Sequence, residues 1–307
     1  MLEPTQDHRG AQLLRRILAG TPATESGLTH IAELPARSAE FGSWPDWVPA
    51  EVRAAELAAG IRAPWSHQVR AAQLVRDGRN VVIATGTASG KSLAYQLPIC
   101  ASLLADPKAS ALYLAPTKAL ASDQLRALRG LSPAAVRAAT FDGDTPILER
   151  DWVRAHANWV FTNPDMLHRS ILPAHDRWAR LFRGLSHVVI DECHTYRGVF
   201  GSHVALLLRR LRRIATHYGA EPVFVLASAT SADPQRSAER LLGAPVAAVT
   251  ADGAPRGART VALWEPPLLE EPSGYDGAPV RRSAGAQAAR IMAELVTQKA
   301  PTLAFVG

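Results

Sequence analysis

Five short apolar runs recur along this chain and constrain its fold more than any other feature. They lie at residues 81–84, 111–114, 159–161, 187–190 and 223–226. Their hydrophobicity is continuous rather than alternating, as a strand buried on both faces of a parallel sheet requires. Longer stretches between them carry helical spacing. After Gly201, for example, Val204, Leu208, Leu211 and Ala215 fall on one stripe. Arg209, Arg210, Arg212 and Arg213 spread over the remaining faces as a solvated surface, and Gly219 supplies a stop. Strand–helix alternation of this kind builds right-handed βαβ units. The predicted class is α/β, a parallel sheet sandwiched by helices.

The flanks read differently. Residues 1–55 are rich in Pro, Ala and Trp, show one helical stretch over 11–18, and read as an N-terminal extension. Residues 56–250 hold the alternating body. Residues 251–285 contain several Pro and Gly, with Trp264-Glu265-Pro266-Pro267 closing a short strand, and read as a linker. Beyond it 286–296 is helical and 302–306 has the character of a buried strand. A helix and a strand do not make a domain, so 286–307 reads as the opening of a second one.

Composition narrows the class further. With 307 residues, 47% of them hydrophobic and 20% charged, the chain has the profile of a soluble globular protein. A formal charge of +6 favours a polyanionic partner without identifying one. The positive charge is almost all arginine, so the four lysines, Lys91, Lys108, Lys118 and Lys299, each merit inspection. Cys100 and Cys193 lie far apart with no Cys or His at metal-ligand spacing, which argues against a disulfide framework or a zinc site. The N-terminus lacks a basic-then-apolar signal pattern, and no apolar run approaches the roughly 18 residues a spanning helix needs. A cytoplasmic location is expected.

The first apolar run leads into Thr85-Gly86-Thr87-Ala88-Ser89-Gly90-Lys91-Ser92, followed by the helical Leu93-Ala94-Tyr95. A strand, a Gly-rich turn and a Gly-Lys-Ser opening a helix is the context of a phosphate-binding loop. Backbone N–H groups of the turn and the helix N-terminus point at a phosphate, and glycine permits the close approach. Lys91 would neutralise the β/γ oxygens and the Ser92 hydroxyl would bind Mg²⁺. Thr85 stands where the general pattern has its first glycine.

The run at 187–190 ends in Asp191-Glu192-Cys193-His194, 100 residues after Lys91. A carboxylate at the C-terminal end of a strand parallel to the first faces the same crevice. Asp191 can hold Mg²⁺ through a water, and Glu192 is placed to orient and deprotonate the attacking water.

Further segments then fall into the order of superfamily 2 helicases. Gln68 precedes the phosphate loop at the distance of a Q-motif, and its amide can pair both edges of adenine. Ala115-Pro116-Thr117-Lys118-Ala119-Leu120 resembles motif Ia, while Asp142-Gly143-Asp144-Thr145 and Thr162-Asn163-Pro164-Asp165-Met166-Leu167 resemble the Ib-type segments. Each sits near a strand end, where hydroxyls, amides and helix N-termini can grip phosphates. Thr117, Lys118, Thr145, Thr162 and Asn163 are the candidates for that grip, with Arg197 beside the acidic motif as another. Ser228-Ala229-Thr230 matches motif III, whose Ser228 and Thr230 hydroxyls would link the acidic motif to bound nucleic acid. His194, next to Glu192, would relay the ATP state to it.

Residues 40–307 resemble the DEAD/DEAH-box-type DNA helicases of superfamily 2. They are most similar to the subgroup of RecQ- and Ski2-related enzymes that includes mitomycin repair factor A and SftH. Asp191-Glu192-Cys193-His194-Thr195-Tyr196-Arg197-Gly198-Val199-Phe200-Gly201-Ser202-His203 carries the resemblance most strongly. Resemblance implies a RecA-like fold, ATP and Mg²⁺ as ligands, 3′-to-5′ translocation on single-stranded DNA, unwinding, and a role in DNA repair. It also implies partner regions outside 1–307: a second RecA-like domain with arginine fingers, and a four-cysteine zinc-binding region. An RNA helicase would share every one of these motifs. A nucleotide-binding module with little turnover is the reading for a chain without arginine fingers.

Overall fold

A computed structural model describes residues 8–21, 26–130, 133–269 and 278–305. Contacts divide the chain into two units, a larger one of Ala39–Ala254 and a smaller one of Met1–Ser38 with Pro255–Gly307. Along the chain the smaller unit opens with α1 (Arg9–Ala19) and β1 (Leu28–Leu34). The larger unit begins with α2 (Ala50–Ala58), α3 (Ser66–Arg76), β2 (Val81–Ala84), α4 (Lys91–Ala105), β3 (Ser110–Leu114) and α5 (Lys118–Arg129). It continues through β4 (Ala138–Thr140), α6 (Ile147–His156), β5 (Trp159–Thr162), α7 (Pro164–Met166), α8 (Ala179–Arg183) and β6 (Leu185–Ile190). It closes with α9 (Gly198–His217), β7 (Val223–Ser228), α10 (Pro234–Leu242) and β8 (Ala247–Val249). The smaller unit then resumes with β9 (Arg259–Trp264) and α11 (Ala284–Thr297).

Seven strands of the larger unit form one sheet in the order β4-β5-β3-β6-β7-β2-β8, and every pairing is parallel. The five unbroken apolar runs are its five inner strands, and alternate residues explain the lack of alternation. Val82, Leu112, Val160, Val188 and Leu226 pack into one core beneath α9 and α10. Their neighbours Ile83, Ala111, Tyr113, Phe161, Val189 and Val225 pack into a second core beneath α3, α4 and α5. Both faces of the sheet are covered, so no polar side is needed. Helix α9 buries the stripe Val204, Leu208, Leu211 and Ala215, and Gly219 takes a left-handed φ of +81° just past its end. Helix α4 is buried on nearly every side, which makes its N-terminus a rigid support for the loop before it.

Edge strands β4 and β8 are each three residues long, too short to give a sequence signal. Because β2 enters between β7 and β8, the strand order reverses beside it, and the carboxyl ends of β2, β3, β6 and β7 open onto one crevice.

In the smaller unit β1 and β9 pair antiparallel, Leu34 opposite Arg259. The 1–55 stretch thus contributes a strand as well as a helix, and the strand before Trp264 has its partner more than 200 residues upstream. The strand expected at 302–306 does not form. Residues 301–305 have no regular structure, Leu303 and Phe305 are 85% and 93% exposed, and Val306 lies outside the described residues. A strand exists only against a neighbour, and none of the described residues pairs with this segment. Among the described residues no helix is long and apolar enough to cross a membrane.

Candidate functional site

The phosphate loop leaves β2 at Thr85 and enters α4 at Lys91. Thr85 is buried, and its hydroxyl bonds that of Ser89 across the loop at 2.6 Å, a closure that the glycine of the general pattern could not make. Ala88 and Gly90 take left-handed φ values of +59° and +60°. A Cβ on Gly90 would sit 2.6 Å from Gln68 Nε2 and 3.1 Å from the Trp65 ring, so glycine is required there for space as well as for φ. Gly90 is also the N-cap of α4 and brings no side chain to cap it; Leu93 N donates to Gly90 O at 3.2 Å, while the Lys91 and Ser92 N–H groups have no partner among the described residues and can meet a ligand. Lys91 Nζ donates to Gly86 O at 2.9 Å and Thr85 O at 3.3 Å, while Thr87 and Ala88 are exposed at the tip.

Gln68 takes a supporting position. It is 4% exposed, its Oε1 accepts from Trp65 N at 2.8 Å, and its Nε2 donates to Gly90 O at 2.8 Å. Both ends of the amide expected to meet adenine are engaged with backbone, and the side chain holds the loop. Two further supports escaped the sequence reading. His67, fully buried, bonds Ser89 O at 2.9 Å through Nε2, and Asp252 accepts from Gly86 N at 3.2 Å. Nothing in spacing or residue type marks either one, because three distant segments have to meet before they touch the loop.

The acidic motif stands at the end of β6. Asp191 is 8% exposed; its Oδ1 accepts from Glu192 N at 2.9 Å and its Oδ2 accepts from the Tyr113 hydroxyl on β3. Burial first, then the neighbouring Tyr95 and the Asp191 charge, push the Tyr113 phenol well above its ordinary range, so it stays a proton donor. A tyrosine inside an otherwise aliphatic run was the visible clue to this contact. Glu192 takes φ +46°, a left-handed strain kept by its surroundings and typical of working sites. Burial pushes the Cys193 thiol up to about 12.

His194 Nδ1 lies 3.1 Å from Glu192 Oε2 and 3.3 Å from Ala229 N. These partners demand opposite states of one nitrogen: it must carry a proton to bond the carboxylate and lack one to accept from the amide. The link to the end of β7 therefore runs through the Ala229 backbone. Ser228 spends its hydroxyl on Ala229 O at 2.8 Å, and Thr230 is exposed.

Lys91, Ser92, Asp191, Glu192, His194 and Thr117 line one cavity of about 800 Å³. His194 also walls a second cavity of about 410 Å³, where Arg197, Ser228, Ser231 and Arg240 are found. Arg197 thus stands on the far side of His194 from the phosphate loop.

The residues expected to grip nucleic acid are held locally. Thr117 caps α5 by accepting from Leu120 N at 3.3 Å, and Asn163 caps α7 by accepting from Met166 N at 2.9 Å. Thr145 closes a turn with Asp142, its Oγ1 accepting from Asp142 N at 2.9 Å. Lys118 pairs with Asp144 at 2.8 Å, and that bond raises the lysine pKa. Thr162 is 1% exposed and donates to Phe141 O at 2.6 Å, so its hydroxyl is withdrawn from the surface. Lys118, Asn163 and Arg197 keep their heads accessible; Thr145 and Thr162 shape the backbone beneath.

Residues 65–237 match the DEAD/DEAH box helicase family. The ATP-dependent helicase YprA of Bacillus subtilis, itself described as uncharacterised, is 42% identical over 89% of this chain. The ATP-dependent helicase hrq1 of Schizosaccharomyces pombe is 36% identical over 88%. The solved structure of the DUF1998 helicase MrfA bound to DNA and AMPPNP is 40% identical, with a TM-score of 0.85 over 94% of this chain and 39% of its own. This chain spans 36% of the length of YprA and 26% of that of hrq1. The parallel sheet and its crevice are RecA-like, and the chain belongs to the DEAD/DEAH box helicase family.

Proposed function

We propose that this chain is the nucleotide-binding first motor domain of an ATP-dependent DNA helicase. The observation that carries the reading is the single cavity in which Lys91 and Ser92 meet Asp191 and Glu192. Lys91 exchanges its two carbonyl partners for phosphate oxygens, and the free first-turn amides of α4 receive the remaining charge. Glu192 orients a water and accepts its proton. His194, poised between Glu192 and Ala229, changes partner as the Glu192 carboxylate changes charge, and so reports the state of the cavity to β7.

Mg²⁺ fits the residues present. Among the described residues the Ser92 hydroxyl, which shares the cavity with Asp191, has no hydrogen-bond partner, and there is no cluster of three acidic, His or Cys side chains able to hold a metal unaided. An ion that keeps most of its waters and takes only one or two protein ligands suits such a site. Ser92 would bind it directly and Asp191 through water, and it would offset phosphate charge during transfer.

The nucleic-acid partner is read as DNA, since MrfA, 40% identical, is bound to DNA in its solved structure, and a single strand is the form proposed. Lys118, Asn163 and Arg197 contact phosphates, with Thr117, Thr145 and Thr162 setting the backbone around them. In the whole protein a second RecA-like domain supplies arginine fingers, and the two domains step 3′ to 5′ during DNA repair. Residues 286–307 are its opening, 251–285 the linker and 1–55 an extension of the 56–250 motor domain. The chain 1–307 then binds nucleotide with feeble turnover. Glu192→Gln in the whole protein tests the reading: ATP binding is retained and DNA-stimulated hydrolysis is lost, because the amide fills the space without accepting a proton. Hydrolysis at the wild-type rate would remove Glu192 from the role of base. Stimulation by poly(U) above poly(dT) would favour an RNA helicase instead.

A further inference from the structure

Asp252 lies just beyond β8, close to the point where the larger unit ends at Ala254. Its Oδ2 accepts from Gly86 N at 3.2 Å and its Oδ1 from Ala254 N at 3.0 Å. The next residue, Gly253, donates its N–H to His67 Nδ1 at 3.1 Å, while His67 Nε2 donates to Ser89 O at 2.9 Å. One neutral tautomer, protonated at Nε2, satisfies both bonds. Gly253 is closely packed: a Cβ there would lie 2.3 Å from Ser66 Oγ, 3.0 Å from Glu40 O and 3.2 Å from Ser66 N. The turn is therefore locked against the start of α3, and two side chains reach from it and from α3 to the two limbs of the phosphate loop.

We infer that Asp252 and His67 are positioning residues for the phosphate loop, holding Gly86 and Ser89 so that the loop amides converge on one point; this rests on the nucleotide reading above. The loop needs such support. Ala88 at φ +59° sits in a region that an L-residue rarely adopts and that persists only where its surroundings impose it. Lys91 supplies part of that imposition while it bonds Thr85 O and Gly86 O. Once Lys91 turns to phosphate, Thr85 O loses that partner, while Gly86 O keeps the Ser89 N–H at 3.3 Å. The peptide plane joining Thr85 and Gly86 is rigid, so the bond from its N–H to Asp252 fixes its carbonyl as well. His67 does the same for the plane that ends in Ser89 O. The support is thus built to hold when the lysine leaves.

Asp252→Asn separates this role from an effect of charge. The amide keeps one acceptor oxygen but turns an N–H₂ toward either Gly86 N or Ala254 N, so one of the two bonds is lost. A carboxylate near phosphate repels it, and by charge alone the substitution would tighten binding. We expect the opposite: calorimetry on the 307-residue chain with ATP and Mg²⁺ shows affinity about tenfold weaker, the loss of one hydrogen bond to a charged group. The nucleotide-induced rise in melting temperature shrinks by more than the nucleotide-free melting temperature falls. His67→Gln can keep the donor to Ser89 O and retains most affinity, whereas the shorter His67→Asn cannot reach it and loses affinity. ATP binding by Asp252→Asn that is unchanged or tighter overturns the inference, as does a nucleotide-free destabilisation equal to the whole loss. Lys91→Ala is the control. If it abolishes binding while Asp252→Asn does not, the inference falls and the nucleotide reading stands; a wild-type chain that binds no ATP overturns both.

Discussion

The phosphate loop and the candidate nucleic-acid rim occupy carboxyl ends of the same sheet, yet they are held in opposite ways. The loop is fixed from afar: Asp252 reaches Gly86 across 166 residues of sequence, and His67 and Gln68 each reach across 22. The rim is fixed mostly at home, although Lys118 reaches Asp144 across 26 residues and Thr162 reaches Phe141 across 21. Thr117 caps the amide three residues on, Asn163 does the same, and Asp142 closes a turn with Thr145. Remote ties make the loop's shape a property of the folded unit, so it is set before any ligand arrives. Local ties let each rim loop shift on its own helix end without disturbing the core. One end is built for fixed geometry, the other for adjustment.

The largest expected effect tests the fixed end. Lys91→Ala should weaken ATP binding about 100-fold or more by calorimetry, since no other lysine lines the cavity to meet the phosphate charge. Near-normal affinity would mean that the loop's remote supports serve something other than phosphate. Next comes Tyr113→Phe, which strips the hydroxyl from Asp191 and leaves a mostly buried carboxylate oxygen short of a partner. A loss of about 1–2 kcal/mol in urea unfolding is expected; wild-type stability would show that the acidic corner does not depend on a neighbouring strand. Asn163→Ala should cost about 0.5–1 kcal/mol, the usual price of an N-cap, with single-strand affinity falling as well. A matching drop in ATP affinity would break the division between the two ends. The smallest effect belongs to Lys118→Ala. Its ion pair with Asp144 is exposed at 47% and 78%, so unfolding should not register the change. The slope of strand affinity against salt should fall by about one, the share of a single phosphate contact.

How far the sequence could be read follows the same divide. Inner strands announced themselves because each residue of β2, like residues 111–114 of β3, is buried on one face or the other, which leaves an unbroken apolar run. Lys91, Ser92, Asp191 and Glu192 were legible because the loop-and-carboxylate pattern depends on local spacing at two strand ends. Strands β4 and β8 were not, being three residues at the sheet's edges. Nor was β1, whose partner β9 is distant in sequence. The 302–305 stretch misled because a run of apolar residues reports only a capacity to be buried, and here Leu303 and Phe305 have nothing over them among the described residues. At the site, Gln68 was identified by position and found in another posture, with its amide spent on Trp65 N and Gly90 O. His67 and Asp252 had no local signature at all.

The position of β2 in the sheet has a consequence for how the chain is made. Val81 pairs with Val225 on one side and Ala247 on the other, so both neighbours lie at least 144 residues ahead of it. At translation rates of about 5–20 residues per second, a nascent chain carries that strand unpaired for about 7–30 seconds. Parallel pairing across such a span is slow to form in any case, because the loop must close before any contact rewards it. A ribosome that stalls between β3 and β7 would therefore display an apolar strand with two open edges, the form most prone to pair with the wrong chain. The strand that carries the phosphate loop is the first of its sheet to be synthesised and among the last to find its place.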